Sequence, residues 1–353
     1  MLKVGVIGVG SISEFHIKPY LKHPEVELVA LCDLNEERLH QKAGQYGVSA
    51  TYNDYRKLLE SDEIDAVSIC TWNNTHAEIA IAALQAGKHV LVEKPLSMTV
   101  EEAIAVETAA KQSGKIGQIG FVRRFGDNAK VLKKFIGSGD LGEIYYAKAS
   151  ILRRLGNPGG WFSDKKLSGG GPLIDLGVHV IDLCWYLMGK PKAVTVTGNV
   201  YSRLGNRSHI ENLDYYKAAD FDPGRNNVED FTNALIRFEN GATLYVDVSF
   251  TLHAKQDEIS VKLYGDKGGA EVEPQLEIIS EKHNTILNMA PQIDHRTLHF
   301  SNAFEAEIYH FIDCCQGKST LLAPVSDGVE IMKILSAVYE SAEKGTEVTL
   351  ANA

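Results

Sequence analysis

The chain has 353 residues, with 44% apolar and 23% charged side chains, which is typical of a globular protein of about two domains. Its formal net charge of −10 disfavours a nucleic-acid-binding surface, and its apolar runs are shorter than the roughly 18 residues of a membrane span. The N-terminus has no basic region followed by an apolar region, so we expect no signal peptide. The five cysteines form no Cys-x-x-Cys pair, so we expect a cytoplasmic protein.

The first 120 residues alternate short β-branched runs with helical segments. Runs typical of buried strands occupy residues 4–8, 28–32, 66–70, 89–92 and 116–120. Helical segments separate or follow them at residues 13–22, 36–46, 55–60, 76–86 and 100–113. Strand–helix–strand alternation predicts an α/β domain with a doubly wound parallel sheet.

A different pattern follows, in which strands dominate. After a helix at residues 128–138, alternating strands are predicted at residues 144–152, 193–201, 231–238, 242–250 and 259–264. Glycine-rich turns between several of them indicate antiparallel pairing. Two further helices are predicted at residues 175–187 and 325–344. The sequence therefore predicts two domains. Residues 1–122 form a domain with a parallel sheet, and residues 123–353 form an α+β domain with a large open, mostly antiparallel sheet.

A glycine-rich turn joins the first predicted strand to the first predicted helix. The first glycine permits a tight turn, the second lets a pyrophosphate approach the backbone, and the helix N-terminus offers N–H groups to the phosphates. The residues of this turn predicted to bind a dinucleotide cofactor are Gly8, Gly10, Ser11 and Ile12. Ser13 stands where the pattern commonly has glycine or alanine.

An acidic residue ends the second predicted strand. Asp33 follows Ser13 by 20 residues, the position at which a carboxylate accepts hydrogen bonds from the ribose hydroxyls. Because such a carboxylate repels a 2′-phosphate, the predicted cofactor is NAD rather than NADP. Arg38 is interpreted as a solvated residue of the next helix.

Two longer motifs carry a resemblance to a known family. Residues 86–95 read AGKHVLVEKP and residues 169–179 read GGGPLIDLGVH, with lesser matches at residues 71–76 and 120–125. Over essentially its whole length the chain resembles the Gfo/Idh/MocA oxidoreductases, named after glucose–fructose oxidoreductase, inositol dehydrogenase and a rhizopine catabolism protein. The resemblance implies a Rossmann domain, then an α/β domain whose open sheet pairs subunits into homodimers or homotetramers.

The resemblance also implies an activity and a site. Family members transfer hydride between a carbinol of a sugar, cyclitol or related polyol and NAD(H) or NADP(H). Lys94 would contact the nicotinamide side and the reacting oxygen, with Asp175 and His179 across the substrate. The other cofactor-binding residues implied are Thr71, Asn73, His76, Glu93, Arg123 and Trp161. The chain departs from the family at Trp72, where proline is common, and at Phe162, where a polar or basic residue is common.

The residues themselves are suited to alcohol oxidation. Asp175 and His179 are four apart, so on a helix both side chains share one face. An imidazole is a suitable base for the hydroxyl proton, and a lysine held at a strand end by the following proline can stabilise the developing oxygen charge. Other interpretations stay open: Asp175 and His179 as a structural hydrogen bond or as metal ligands, and His76 as a helix cap. With no third ligand at a recognisable spacing, no metal is predicted.

Two rival functions remain open. One is an NAD-dependent glycoside hydrolase that uses transient oxidation with the same lysine and histidine. The other is a non-catalytic regulator that senses the cofactor. Arg153 and Arg154 are equally compatible with an anionic substrate and with a solvated strand edge, and residues 206–227 with a substrate mouth or an oligomer contact.

Overall fold

A computed structural model describes residues 1–218, 220–222 and 224–350. The chain forms two compact units, Met1–Val122 with Phe300–Met332, and Arg123–His299 with Lys333–Ala353. Residues 300–332 thus pack with the first unit, although they follow the second along the chain. The division into domains of residues 1–122 and 123–353 stays a prediction, because packing defines a compact unit whereas independent folding defines a domain.

The secondary structure alternates in the first unit and is strand-rich in the second. The strands are β1 (Leu2–Ile7), β2 (Val26–Cys32), β3 (Ala50–Tyr52), β4 (Ala66–Ile69), β5 (His89–Glu93), β6 (Gly117–Gly120), β7 (Ile144–Leu152), β8 (Ala193–Tyr201), β9 (Phe231–Phe238), β10 (Thr243–Ser249), β11 (Glu258–Gly265), β12 (Gly268–Glu273), β13 (Glu277–Lys282), β14 (Thr285–Met289) and β15 (Val348–Thr349). The helices are α1 (Ser13–Lys22), α2 (Glu36–Tyr46), α3 (Tyr55–Leu59), α4 (His76–Gln85), α5 (Val100–Ser113), α6 (Asp127–Gly137), α7 (Lys165–Ser168), α8 (Val178–Leu187), α9 (Phe300–Cys315) and α10 (Val325–Lys344).

The first unit contains a parallel sheet with the strand order β3-β2-β1-β4-β5-β6. Its central strands are buried on both faces, which is why they read as continuous apolar runs. The order reverses at β1, so the carboxyl ends of β1 and β4 border a crevice of the kind that binds ligands in open α/β sheets. This unit confirms the predicted doubly wound α/β sheet.

Helix α9 completes the core of the first unit. Its residues Ile308, Phe311 and Ile312 are fully buried in the cluster formed around β1, and the ring of Phe304 stacks on that of Phe15 with centroids 4.8 Å apart. The sequence analysis did not predict this helix, although apolar residues recur along it at helical spacing. It packs against a part of the chain almost 300 residues earlier, which local patterns do not reveal.

The second unit contains a nine-stranded sheet with the order β14-β13-β12-β11-β7-β10-β9-β8-β15. Its strand pairs are antiparallel except for β7 with β10, where the intervening helices and strands allow a parallel crossover. The predicted open, mostly antiparallel sheet is therefore confirmed. One face, represented by Ala149, Val246 and Val261, is fully buried, and α8 packs on β7, β10 and β11.

The opposite face of this sheet is partly exposed and rich in aromatic rings. Tyr146 stacks on Tyr264, and Tyr201 stacks on Phe231, with ring centroids 5.3 and 5.8 Å apart. Tyr245 lies on the same face, in register with Lys148 of β7. In the part of the chain described here, no helix is long and apolar enough to cross a membrane.

Candidate cofactor and active site

The glycine-rich turn has the geometry of a phosphate cradle. Gly8 has a φ of +87°, and a Cβ placed on it would lie 2.7 Å from the carbonyl of Cys70, so only glycine fits between β1 and β4. A Cβ on Gly10 would meet no heavy atom within 4 Å, which leaves the backbone open to a pyrophosphate. Ser11 is exposed and Ile12 directly precedes α1, so both predicted residues lie at the helix N-terminus.

Ser13 shows why a small residue stands third in this turn. Its side chain is fully buried, and its hydroxyl donates a hydrogen bond of 2.7 Å to the carbonyl of Gly10. The serine thus fills the small space left between helix and strand and closes the turn.

Asp33 lies beside the turn and is tied to it. Its Oδ2 accepts a hydrogen bond of 2.8 Å from the Val9 N–H, and its Oδ1 accepts one of 2.8 Å from the Asn35 N–H. The Arg38 guanidinium also donates to Oδ1 at 2.8 Å. The interpretation of Arg38 as a merely solvated residue was therefore wrong: Asn35 caps α2, so the first turn of that helix directs Arg38 back onto the carboxylate.

The loop after β4 contains a second group of predicted cofactor residues. Asn73 is buried, and the hydroxyl of Thr71 accepts a hydrogen bond of 2.8 Å from Thr75. The ring nitrogens of His76 lie 2.7 Å from the Pro95 carbonyl and 3.1 Å from that of Thr71. Burial lowers the pKa of His76, so the neutral ring donates to one of these carbonyls and joins this loop to the one after β5. Cofactor contacts of these residues stay a prediction.

Glu93 ends β5 inside a buried chain of hydrogen bonds. One carboxylate oxygen lies 3.0 Å from His16 Nε2, and the other accepts the Lys94 N–H at 3.2 Å. His16 Nδ1 lies 3.2 Å from the hydroxyl of Ser68, which lies 2.7 Å from that of Tyr20. Lys94 follows directly, half-buried and outside regular structure, as the following proline predicts.

Arg123 and Trp161 belong to the second unit. Arg123 is buried and forms an ion pair with Glu273, so its charge already has a partner there. The ring of Trp161 stacks on that of Phe162, with centroids 3.9 Å apart. That both residues contact the cofactor stays a prediction.

Asp175 and His179 are presented by an irregular helix start. Asp175 lies in a π turn, Leu173–Gly177, in which the Val178 N–H bonds the Leu173 carbonyl five residues back. His179 is the second residue of α8, and both side chains are partly exposed. The helix predicted at residues 175–187 therefore begins with a wide turn, a feature that is frequent at functional sites.

Glu229 anchors this helix start, and the sequence analysis missed it. Its buried carboxylate accepts hydrogen bonds from the N–H groups of Gly171 and Leu173 and from the hydroxyl of Tyr339, at 2.9, 3.3 and 2.8 Å. A Cβ on Gly170 would lie 2.0 Å from that hydroxyl, and one on Gly171 would lie 2.5 Å from the Glu229 carbonyl. The glycines of the second motif are thus required by close packing against this anchor.

Part of the segment of residues 206–227, namely residues 213–216, borders a cavity of about 390 Å³ in the second unit. Its lining includes Arg153 and Arg154, together with Tyr215 and Tyr216. The guanidinium groups of Arg153 and Arg154 donate to the carbonyls of Gly156 and Lys255, each at 3.0 Å. Both arginines therefore hold loops of this unit in place.

Comparison with known proteins places the chain in a family. Residues 2–121 match the model of an oxidoreductase family with an NAD-binding Rossmann fold, and residues 133–350 match that family's C-terminal α/β domain. The chain belongs to the Gfo/Idh/MocA oxidoreductase family. This confirms the recognised family, the fold class, the assignment as a nicotinamide-dependent dehydrogenase and NAD as its cofactor.

Similar proteins cover almost the whole chain. D-Glucoside 3-dehydrogenase of Escherichia coli (strain K12) is 34% identical, over 99% of this chain and 97% of the relative. Levoglucosan dehydrogenase of Pseudarthrobacter phenanthrenivorans (strain DSM 18606 / JCM 16027 / LMG 23796 / Sphe3) is 30% identical, over 76% of this chain and 72% of the relative. A solved structure of levoglucosan dehydrogenase in complex with NADH has the same fold, with a TM-score of 0.87 at 24% identity and full coverage of both chains.

Proposed function

We propose that the chain transfers hydride between a carbinol of a sugar, cyclitol or related polyol and NAD. The observation that carries this proposal is the similarity to a D-glucoside 3-dehydrogenase over nearly the whole length of both chains. The chain also has Lys94, Asp175 and His179 at the positions that the family resemblance assigns to the reaction. A non-catalytic regulator would have no need of these three side chains together.

In this proposal, the first unit binds the pyrophosphate and the adenosine ribose of the cofactor. The backbone at Gly8 and Gly10 and the start of α1 hold the pyrophosphate, because the turn is open at Gly10 and a helix N-terminus favours phosphate. Asp33 accepts a hydrogen bond from the adenosine ribose. When bound, NAD supplies the nicotinamide carbon that accepts the hydride.

The remaining chemistry is assigned to three side chains. His179 accepts the proton from the hydroxyl oxygen while the carbon that bears this hydroxyl gives its hydride to the nicotinamide, so a carbinol becomes a carbonyl. Lys94 stabilises the negative charge that develops on the oxygen, and Asp175 hydrogen-bonds a neighbouring hydroxyl of the substrate or orients His179.

The test is NADH formation by the purified full-length protein. The panel contains methyl β-D-glucopyranoside, levoglucosan, myo- and scyllo-inositol and a sugar phosphate, each with NAD and with NADP. His179→Ala should lower kcat by about 10²- to 10⁴-fold while NADH binding, followed by fluorescence, stays close to wild type. Unchanged turnover in His179→Ala would refute its role as the base. Release of an aglycone from the glucoside without net NADH would favour the hydrolase.

We also propose a homodimer or homotetramer formed through the open face of the nine-stranded sheet. That face has the aromatic pairs described above, and Tyr201 and Tyr264 remain 39% and 40% exposed. Leu235, half-buried in register with Tyr245, lies among them. Leu235→Glu should reduce the mass measured by light scattering to that of a monomer. Ile104→Glu, at a 44% exposed position on α5, is the matched control and should not.

A cytoplasmic location is proposed from the cysteines. All five are free thiols and four of them are buried, an arrangement expected in a reducing compartment. Binding to nucleic acid or membrane is not part of this proposal.

A further inference from the structure

We infer that His16 is a positioning residue for the reaction: through Glu93 it fixes the backbone of Lys94 at the end of β5. This inference rests on the proposed role of Lys94. It concerns a chain of hydrogen bonds that joins α1, β4 and β5 inside the first unit.

The burial of this chain makes its geometry restrictive. His16, Ser68 and Tyr20 are completely buried, and Glu93 is 5% exposed. A buried carboxylate needs hydrogen-bond donors, because water cannot replace them. Within the first unit, the donors to Glu93 are the His16 ring on one oxygen and the Lys94 N–H on the other. Losing the ring would therefore leave the carboxylate free to turn away from Lys94.

The donors and acceptors can be matched in one direction along the chain. In one assignment that satisfies every contact, the Tyr20 hydroxyl donates to Ser68, the Ser68 hydroxyl donates to His16 Nδ1, and His16 Nε2–H donates to Glu93. Burial alone would raise the pKa of Glu93. The hydrogen bond from His16 and the nearby charge of Lys94 outweigh this effect, so the pKa of Glu93 is lowered overall.

The position of His16 gives the network its functional direction. His16 lies one turn into α1, the helix whose start forms the phosphate cradle. Glu93 is the last residue of β5 and directly precedes Lys94. The network therefore connects the helix of the cofactor turn with the backbone that presents the lysine. Ser68 contacts the far side of the His16 ring, and Tyr20 contacts Ser68. In this chain of hydrogen bonds, only Glu93 reaches the Lys94 backbone.

Two amide substitutions separate the contacts of His16. In His16→Gln the side-chain NH₂ can reach Glu93, as Nε2 does, whereas in His16→Asn it reaches only toward Ser68, as Nδ1 does. The two variants match in polarity. Tyr20→Phe removes an equally buried hydroxyl from the far end of the chain and is the control for loss of packing or stability.

The first measurement is hydrogen–deuterium exchange of the Lys94 amide in the NAD-bound full-length protein. His16→Asn should accelerate this exchange at least about tenfold relative to the amides of β5, because the Glu93 carboxylate then turns away and no longer accepts the Lys94 N–H. His16→Gln and Tyr20→Phe should exchange within about threefold of wild type. Equal protection of Lys94 in His16→Asn and wild type would overturn the inference. So would equal acceleration in His16→Gln and His16→Asn. If His16→Asn does not fold, Glu93→Asp tests the contact between the carboxylate and the Lys94 N–H, because its side chain is shorter by one methylene group.

The second measurement is kcat at saturating NAD with methyl β-D-glucopyranoside, or with the best substrate of the panel. His16→Asn should lower kcat about ten- to a hundredfold, since small misplacement of a reacting group costs this much. Combined with Lys94→Ala, it should lower kcat no further. If His16→Asn lowered kcat in the Lys94→Ala variant by as much as it does in wild type, the inference about His16 would be overturned, while the proposed role of Lys94 would stand. Wild-type kcat in Lys94→Ala would instead overturn the proposed role of the lysine, whatever the exchange result.

Discussion

In the proposed site, the choice of NAD over NADP depends on the charge of Asp33, and Asp33→Asn removes that charge without changing the shape of the side chain. A carboxylate offers about four acceptor positions. Donors from Val9, Asn35 and Arg38 occupy three of them, which leaves one for a ribose hydroxyl. One hydrogen bond to a charged group contributes about 1.5–3 kcal/mol, so Asp33→Asn should weaken NAD binding about ten- to a hundredfold.

The same substitution should improve NADP binding. Two like charges about 4 Å apart repel by about 1 kcal/mol in water and by about 4 kcal/mol near a protein surface, so the gain should be at least about fivefold. The loss of the carboxylate also releases Arg38, whose guanidinium can then meet the 2′-phosphate. Adding Arg38→Ala to Asp33→Asn should therefore remove most of the gain.

The assay is titration of NADH and NADPH by fluorescence with the full-length protein, after thermal unfolding has shown that each variant is folded. The reasoning would be refuted by an Asp33→Asn protein that binds NADH as tightly as wild type. It would also be refuted by an NADPH gain that Arg38→Ala leaves intact.

Three further predictions concern the supports of the site. Glu229→Ala should destabilise the protein by about 1–3 kcal/mol in urea unfolding, because two buried N–H groups lose their acceptor, and should lower kcat more than it weakens NADH binding. Asp182→Ala should cost about 3–5 kcal/mol in the same assay, since it leaves the fully buried Arg124 without its bidentate partner; a loss below about 1 kcal/mol would contradict this. The pKa of His76 is lowered in the folded protein, so as the pH falls below about 6.5 the His76 ring takes up a proton more readily in the unfolded chain than in the folded protein. The folded protein therefore loses stability as the pH falls below this value. The melting temperature of His76→Asn should therefore fall less than that of wild type between about pH 7.5 and about pH 5.5, and an equal fall would refute this assignment.

The sequence was sufficient for five of the six strands of the first sheet because their signals are local. Each buried strand of the first unit is a short apolar run, and helical segments separate or follow these runs with recognisable ends, such as the capping box formed by Thr99 and Glu102. The turn at Gly8 and Gly10 was predictable for the same reason, since its glycines and the following helix are contiguous. Strand β3 was missed because it has only three half-buried residues and no apolar pattern.

Contacts between distant parts of the chain were not predictable from these patterns. His16 meets Ser68 and Glu93 at separations of 52 and 77 residues, and Glu229 meets Gly171 at a separation of 58. No periodicity links such positions, because each lies in a different element and only the folded sheet brings them together. Arg38 shows the same limit at shorter range, since its direction depends on how Asn35 caps α2.

The central claim, hydride transfer from a sugar carbon to NAD, is tested most directly with methyl β-D-glucopyranoside deuterated at every carbon of the sugar. The purified protein is incubated with this glucoside and NAD, and the nicotinamide product is analysed by mass spectrometry. The account predicts NADH that contains one deuterium in wild type, formed about 10²- to 10⁴-fold more slowly in His179→Ala. Glucoside consumption that releases the aglycone while leaving no deuterium in free NADH would contradict it.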